Sequence, residues 1–268
     1  MIHPALTLIA SVLYLAAGTG LTLRLIHRPD TATLRRVSLA GAGVAAALHA
    51  VVVWQTTWQP GGLNLGLFNV ASLIGWLMTA LLLITTVRRP VENLGILVLP
   101  LTAVATLASL ALGQPRAVSA PALAGVDIHI LLSITAYSIL GIAAAQSLLL
   151  AVQEYQLRHR HPGGFMRMLP PLQSMEVLLF TMLRIGFVIL TLAIASGWLF
   201  VEDLFAQHLV HKTVLSLAAW VMFAILLWGR HRYGWRGQTA ARWTLGAFLV
   251  LALGFFGSKF VLELVLGA

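Results

Sequence analysis

Apolar residues run along this chain in eight long stretches separated by short polar connections, at about 4–26, 37–56, 66–87, 94–112, 126–150, 175–200, 210–229 and 243–265. Each is close to the roughly 20 residues a helix needs to cross a hydrocarbon core of about 30 Å. None alternates apolar and polar positions. In lipid a spanning segment must satisfy its own backbone groups, so the pattern predicts helices. The expected fold is all-α: a polytopic membrane protein, an eight-transmembrane-helix bundle forming a single integral-membrane domain over residues 1–268. The first stretch lacks a basic leader, is too long for a signal peptide and precedes arginines instead of a cleavage site, so it is expected to be retained.

Composition agrees, because 59% apolar and 9% charged residues in 268 give more hydrophobic surface than a water-soluble core can hide. The charges are placed unevenly. Arg24, Arg28, Arg35, Arg36, Arg88, Arg89, Arg158, Arg160, Arg167, Arg230, Arg232, Arg236 and Arg242 fall in alternate connections, 13 of the 17 Lys and Arg. The opposite connections carry Arg116, Lys212 and Lys259. By the positive-inside rule the basic connections face the cytoplasm and both termini are extracytoplasmic, as expected of a multi-pass bacterial inner (plasma) membrane protein.

The net charge of +9 does not indicate nucleic acid, because no soluble domain gathers cations with aromatic residues on one face. The chain has no cysteine, which excludes disulfides, zinc-thiolate sites and the C-x-x-C-H sequence of covalent haem attachment. A metal would be held by nitrogen, oxygen or Met sulfur. Eight Asp and Glu, with no nucleophile elbow, H-E-x-x-H or phosphate loop, point away from an enzyme.

One connection, 151–174, is longer than most. Glu154, Tyr155, Arg158 and His159 are expected to extend the fifth helix, Pro162-Gly163-Gly164 to stop it, and Ser174 to cap the sixth after Pro170-Pro171, with Glu176 in its first turn.

Three imidazoles stand where a lipid-facing chain rarely places polarity. His49 lies inside the second stretch, roughly 18 Å along a helix from Val37. His129 opens the fifth stretch and His211 the seventh. The charge alternation puts all three in or near the outer half, and imidazoles on facing helices can ligate a haem iron axially. His49, His129 and His211 are therefore candidate ligands of a haem iron. Each also has a plainer reading: His49 as a buried imidazole bonded to a neighbouring helix, His129 and His211 as interfacial residues. His3, His27, His159, His161, His208 and His231 fall in connections or at termini, where water satisfies them.

Arg184 lies about ten positions into the sixth stretch, where a charge costs about 2.5–3.5 kcal/mol unless it is paired or hydrated. It is a candidate cofactor-binding residue, a counter-charge for a haem propionate or a lipid headgroup, or else the partner of Glu176 two turns earlier. Trp54, Trp58, Trp198, Trp228, Trp235 and Trp243 fall near predicted boundaries, as interfacial anchors do. Trp76 and Trp220 are the interior exceptions. Gly61-Gly62, with Asn64 and Asn69, marks a tight outer loop.

The run Leu169-Pro170-Pro171-Leu172-Gln173-Ser174-Met175-Glu176, with Arg184-Ile185-Gly186-Phe187 and Leu190-Thr191, resembles the cytochrome c assembly family of CcsA, CcmC and HemX-like membrane proteins. His211-Lys212-Thr213, Ser216-Leu217, Trp220 and Gly234-Trp235-Arg236-Gly237 extend the likeness, as do Leu48-His49-Ala50 and Asp127-Ile128-His129. The chain looks most like the YpjD branch. The resemblance implies haem b, bound non-covalently on the outer side by histidines, with His129 at the place of one external histidine. It also implies cytochrome c maturation or haem-synthesis proteins as partners, alongside the lipid bilayer. Two departures stand out. The tryptophan-rich W-G-x-x-W-x-W-D stretch of the haem-delivering members is replaced by 201–208, which contains no tryptophan, and Ser258-Lys259 stands where a second external histidine is expected.

The expected function is thus non-enzymatic haem binding or handling in cytochrome c assembly or haem-pathway control. Two other readings stay open at this point: a small-solute or ion transporter, or accessory subunit, with Arg184, Glu176 and His49 as a polar track, and a scaffold docking a cytoplasmic partner through 151–174.

Overall fold

The computed structural model describes residues 2–27, 31–59, 62–113, 117–118, 124–159, 169–200 and 210–261. Eight helices in it are long and apolar enough to span a membrane. They lie within α1 (Ile2–His27), α2 (Thr31–Thr57), α3 (Leu67–Arg88), α4 (Gly95–Leu112) with a preceding 3-10 turn, α5 (Ala124–Arg158), α6 (Leu172–Phe200), α7 (Val210–Tyr233) and α8 (Gly237–Ala252) with its continuation. The predicted all-α fold with eight membrane-length helices is what the chain forms.

The differences from expectation are local. The eighth helix begins at Gly237, not near 243, because its first turn is polar and carries no hydropathy signal. It then passes through a π-helical turn, Leu253–Gly257, into a short α9 (Ser258–Phe260). Ser174 does not cap α6: both its N–H and that of Met175 donate to the carbonyl of Pro171, at 2.9 and 3.2 Å, so the helix already starts at Leu172. The loop around Gly62 holds strands too short for alternation to reveal, β1 (Trp58–Gln59), β2 (Gly62–Asn64) and β3 (Ala117–Val118), paired antiparallel in that order. The expected stop at Pro162-Gly163-Gly164 lies outside the described residues, as does 201–208.

The chain divides into two compact units, residues 1–120 with 156–170, and residues 121–155 with 171–268. In the first, α1 and α2 pack on α4 through Tyr14, Ala17, Leu21, Ala42, Ala45, Leu99 and Ala103. Small side chains let helices approach closely in lipid, where packing replaces the hydrophobic effect as the source of cohesion. At one end, Glu92 accepts hydrogen bonds through Oε1 from Arg24 (3.1 Å) and Arg35 (2.9 Å), although Glu92 is only 5% exposed.

In the second unit α6 and α7 run antiparallel. Glu176 meets Arg230 at 3.9 Å, Phe187 stacks on Trp220 at 5.4 Å, and the Trp220 indole donates to Thr191 Oγ1 at 2.9 Å. The turn into α8 uses Gly234 and Gly237 at positive φ, +67° and +57°, where glycine is the unstrained choice. The Gly237 N–H donates to Glu176 Oε1 at 3.0 Å, and a Cβ at that position would collide with the Glu154 carboxylate.

Candidate functional site

The histidines singled out by sequence fall into different environments. His49, on α2 in the first unit, is fully buried, and both ring nitrogens are engaged. Its Nδ1 lies 3.3 Å from the Tyr14 hydroxyl, and its Nε2 lies 2.8 Å from Ser72 Oγ and 3.2 Å from Thr106 Oγ1. The hydroxyls continue along α3 and α4: Thr106 donates to the Thr102 carbonyl, Thr102 to that of Gly75, Thr79 and Thr102 share a contact of 3.1 Å, and Ser109 donates to Asn69 Oδ1. A buried polar group is tolerated when it is hydrogen-bonded, and here one imidazole ties four helices together. With Nδ1 and Nε2 both taken by hydroxyls, His49 presents no free lone pair.

His129 differs. It sits in the first turns of α5 in the second unit, half-buried, and its Nδ1 lies 2.8 Å from the Ala193 carbonyl oxygen and 3.2 Å from Ser196 Oγ on α6. A carbonyl can only accept, so Nδ1 carries the proton and donates it. The opposite nitrogen, Nε2, then holds a lone pair and has no hydrogen-bond partner among the described residues. Metal-bound histidines have this arrangement, their second nitrogen donating to a carbonyl or carboxylate that fixes the ring. The ring lies over Gly197, where a Cβ would come within 3.1 Å of Cε1 and 3.3 Å of Nδ1. Ser196 and Gly197 are thus cut to the shape of the imidazole.

His211, the second residue of α7, is exposed in the same unit as His129. Nearby on this helix Lys212 places its ammonium 4.8 Å from the centroid of Phe255, which Lys259 also approaches at 5.6 Å. The π-helical turn positions Phe255 and Phe256 around Tyr137, whose hydroxyl donates to the Leu251 carbonyl at 2.6 Å. Among the described residues no three His, Asp or Glu gather to hold a bare metal ion.

Arg184 does not pair with Glu176 as one reading expected. The Glu176 carboxylate is taken by the Gly237 N–H and by Arg230. Arg184 instead shares a cavity of about 440 Å³ with Leu227, Arg230 and His231. His231 was expected to be an ordinary connection residue, and only the register of α6 against α7 brings it to Arg184. This cavity lies toward the end of α7 opposite His211, about 28 Å away along the helix.

The interior tryptophans each join two helices. Trp76 donates to the Ala46 carbonyl at 2.9 Å and Trp220 to Thr191. At the predicted boundaries Trp54 stacks on Trp58, and Trp235 on Trp243.

Helices long and apolar enough to span a membrane define a polytopic membrane protein, in which the Ala193 carbonyl orients His129 and Nε2 has no hydrogen-bond partner among the described residues. The chain belongs to the family described as cytochrome C assembly protein, whose model matches residues 38–266. It is 34% identical over 237 residues to the inner membrane protein YpjD of Escherichia coli (strain K12), covering 86% of this chain and 88% of that one. An uncharacterized 28.8 kDa protein of Azospirillum brasilense is 33% identical over 220 residues, 80% of this chain and 81% of the other. Protein HemX of Brevibacillus brevis is 24% identical over 131 residues, 48% of each chain. No solved structure matches the chain.

Proposed function

We propose that this is a non-enzymatic haem-binding protein of the bacterial inner membrane, acting in cytochrome c assembly or control of the haem pathway, with His129 Nε2 as the iron ligand. The observation that carries the reading is the 2.8 Å bond from His129 Nδ1 to the Ala193 carbonyl, which leaves the second nitrogen free. The donor set fits a haem better than a bare ion: one oriented imidazole is too few for a protein-only metal site, whereas a porphyrin brings four nitrogens of its own. Bound haem b would supply an iron centre with axial positions open to imidazole. The chain's contribution is to hold the His129 tautomer, to set the ring plane on Gly197, and to offer His211 in the same unit as the candidate second ligand.

His49 has a different role in this reading. Its nitrogens are consumed by Tyr14, Ser72 and Thr106, so it holds the first unit together. The alternating arginines support an orientation with both termini, His129 and His211 on the extracytoplasmic side. The names of the YpjD and HemX relatives support the inner membrane and the haem pathway respectively. Absence of tryptophan from 201–208 favours holding or sensing haem over delivering it to an apocytochrome. The test is spectroscopic: protein purified in mild detergent after haem supplementation should show a Soret band that His129→Ala abolishes. Retention of the band in that variant would refute the assignment.

A further inference from the structure

The cavity beside Arg184 is not used by the haem reading, and its chemistry is distinct. Arg184 lies twelve residues into α6, about 18 Å from Leu172, on an exposed stripe that includes Val177, Val188, Leu192 and Trp198 as well as Thr191. Among the described residues it has no ion-pair or hydrogen-bond partner, an expensive state for a guanidinium in apolar surroundings. Helical side chains lean toward the N-terminus of their own helix. Because α6 and α7 are antiparallel, Arg184 reaches toward the Leu172 end of α6 while Arg230 reaches inward from the end of α7, and the two meet over Leu227.

Arg230 is already fixed. Its Nη1 donates to the Trp235 carbonyl at 3.0 Å, its guanidinium lies 4.5 Å from the Phe180 ring centroid, and Glu176 Oε2 is 3.9 Å away. Five N–H donors leave it with others to offer. His231, exposed at the same rim, adds one more donor and has no partner among the described residues. The cavity lining is Arg184, Leu227, Arg230 and His231, and the Glu176 carboxylate behind Arg230 has its Oε1 occupied by the Gly237 N–H. The cavity thus carries an excess of positive charge, planar donors in a fork suited to an oxyanion, and an apolar flank along α6 and α7, where Val221, Ile225 and Trp228 are exposed.

We infer that Arg184, Arg230 and His231 form a binding site for a phosphate oxyanion, supplied by the headgroup of an anionic phospholipid whose acyl chains lie along the exposed apolar stripe of α6 and α7. Basic pockets between membrane helices on the side of the basic connections bind such headgroups. Lipid is favoured over a free anion because the site opens onto apolar helix surface, where a soluble ion finds no further contacts.

The full-length protein in phosphatidylcholine nanodiscs is compared with the same protein in discs containing phosphatidylglycerol, and with phosphatidylcholine discs given inorganic phosphate. Phosphatidylglycerol should raise the thermal midpoint, and native mass spectrometry should show retained phosphatidylglycerol. Arg184→Gln and His231→Asn should each weaken retention about fivefold, Arg184→Lys, which keeps the charge and loses the fork, should fall between Arg184→Gln and wild type, and the exposed control Arg242→Gln should leave it unchanged. Should inorganic phosphate stabilise as well as phosphatidylglycerol, with the same dependence on Arg184, the oxyanion site stands and its acyl-chain contacts are overturned. Equal retention of phosphatidylglycerol by wild type, Arg184→Gln and His231→Asn overturns the site. If Arg184→Gln does not fold, His231→Asn carries the same decision.

Discussion

His129 Nδ1 lies 2.8 Å from the carbonyl oxygen of Ala193, a bond between the first turns of α5 and the last third of α6 that fixes both the tautomer and the plane of the ring. The carbonyl sits inside a helix, where most are already committed to the N–H four residues on. Ser196 Oγ also reaches the Ala193 carbonyl at 2.8 Å, so one short stretch of α6 is arranged around this imidazole.

Gly197 should therefore be sensitive to a single methyl group. A Cβ there would stand 3.1 Å from His129 Cε1 and push the ring away from α6. Gly197→Ala is expected to weaken haem binding by about 10- to 100-fold, the usual cost of disturbing the partners of a metal-bound histidine. Haem titration of the apoprotein by absorbance measures it, and an unchanged midpoint would contradict the role assigned to the ring's position.

His49 is predicted to matter for stability and not for haem. Replacing it with alanine takes the imidazole partner from the Tyr14, Ser72 and Thr106 hydroxyls in a buried site, at a cost of about 1–3 kcal/mol given the modest worth of each interhelical bond in membranes. His49→Ala should lower the midpoint of SDS-induced unfolding while the folded fraction keeps its Soret band. Loss of the band with normal stability would make His49 a ligand after all.

The carboxylate of Glu92 holds Arg24 and Arg35 together in the first unit. Glu92→Gln leaves two partly exposed cations without their counter-charge and should lower stability. Arg35→Gln, which removes the more exposed partner, should cost less. Thermal denaturation in detergent ranks the three proteins, and Arg35→Gln proving the more damaging would reverse this view of the cluster.

Alternating arginine-rich connections predict the orientation of the whole chain. Alkaline phosphatase fused after the described C-terminal helix should be active in the periplasm, and fusions after Arg88 or Arg232 should be inactive. The opposite pattern would move His129 to the cytoplasmic side and remove the basis for an outer haem site.

The sequence was most informative where one physical requirement dominated. Backbone satisfaction in lipid makes long apolar runs helical, so eight helices were legible, but polar first turns hid the starts of α2 and α8, at Thr31 and Gly237 instead of about 37 and 243. Short strands around Gly62 escaped because two or three residues carry no period. His49 and His129 were both visible as misplaced polarity. Their separation into a consumed and an open imidazole was not, because it depends on Ser72, Thr106, Ser196 and Gly197 arriving from other helices. Arg184 was visible as a costly charge, but its neighbours Arg230 and His231 belong to a helix that meets α6 only through tertiary register.

The central claim is that His129 supplies an open Nε2 to a haem iron. Its most direct measurement is the absorption spectrum of haem-supplemented protein, wild type beside His129→Ala, His211→Ala and His49→Ala, each normalised to folded protein. The predicted result is a Soret band lost in His129→Ala, shifted in coordination but present in His211→Ala, and unchanged in His49→Ala. A band that survives His129→Ala intact, or that never forms in the wild type, would contradict the claim.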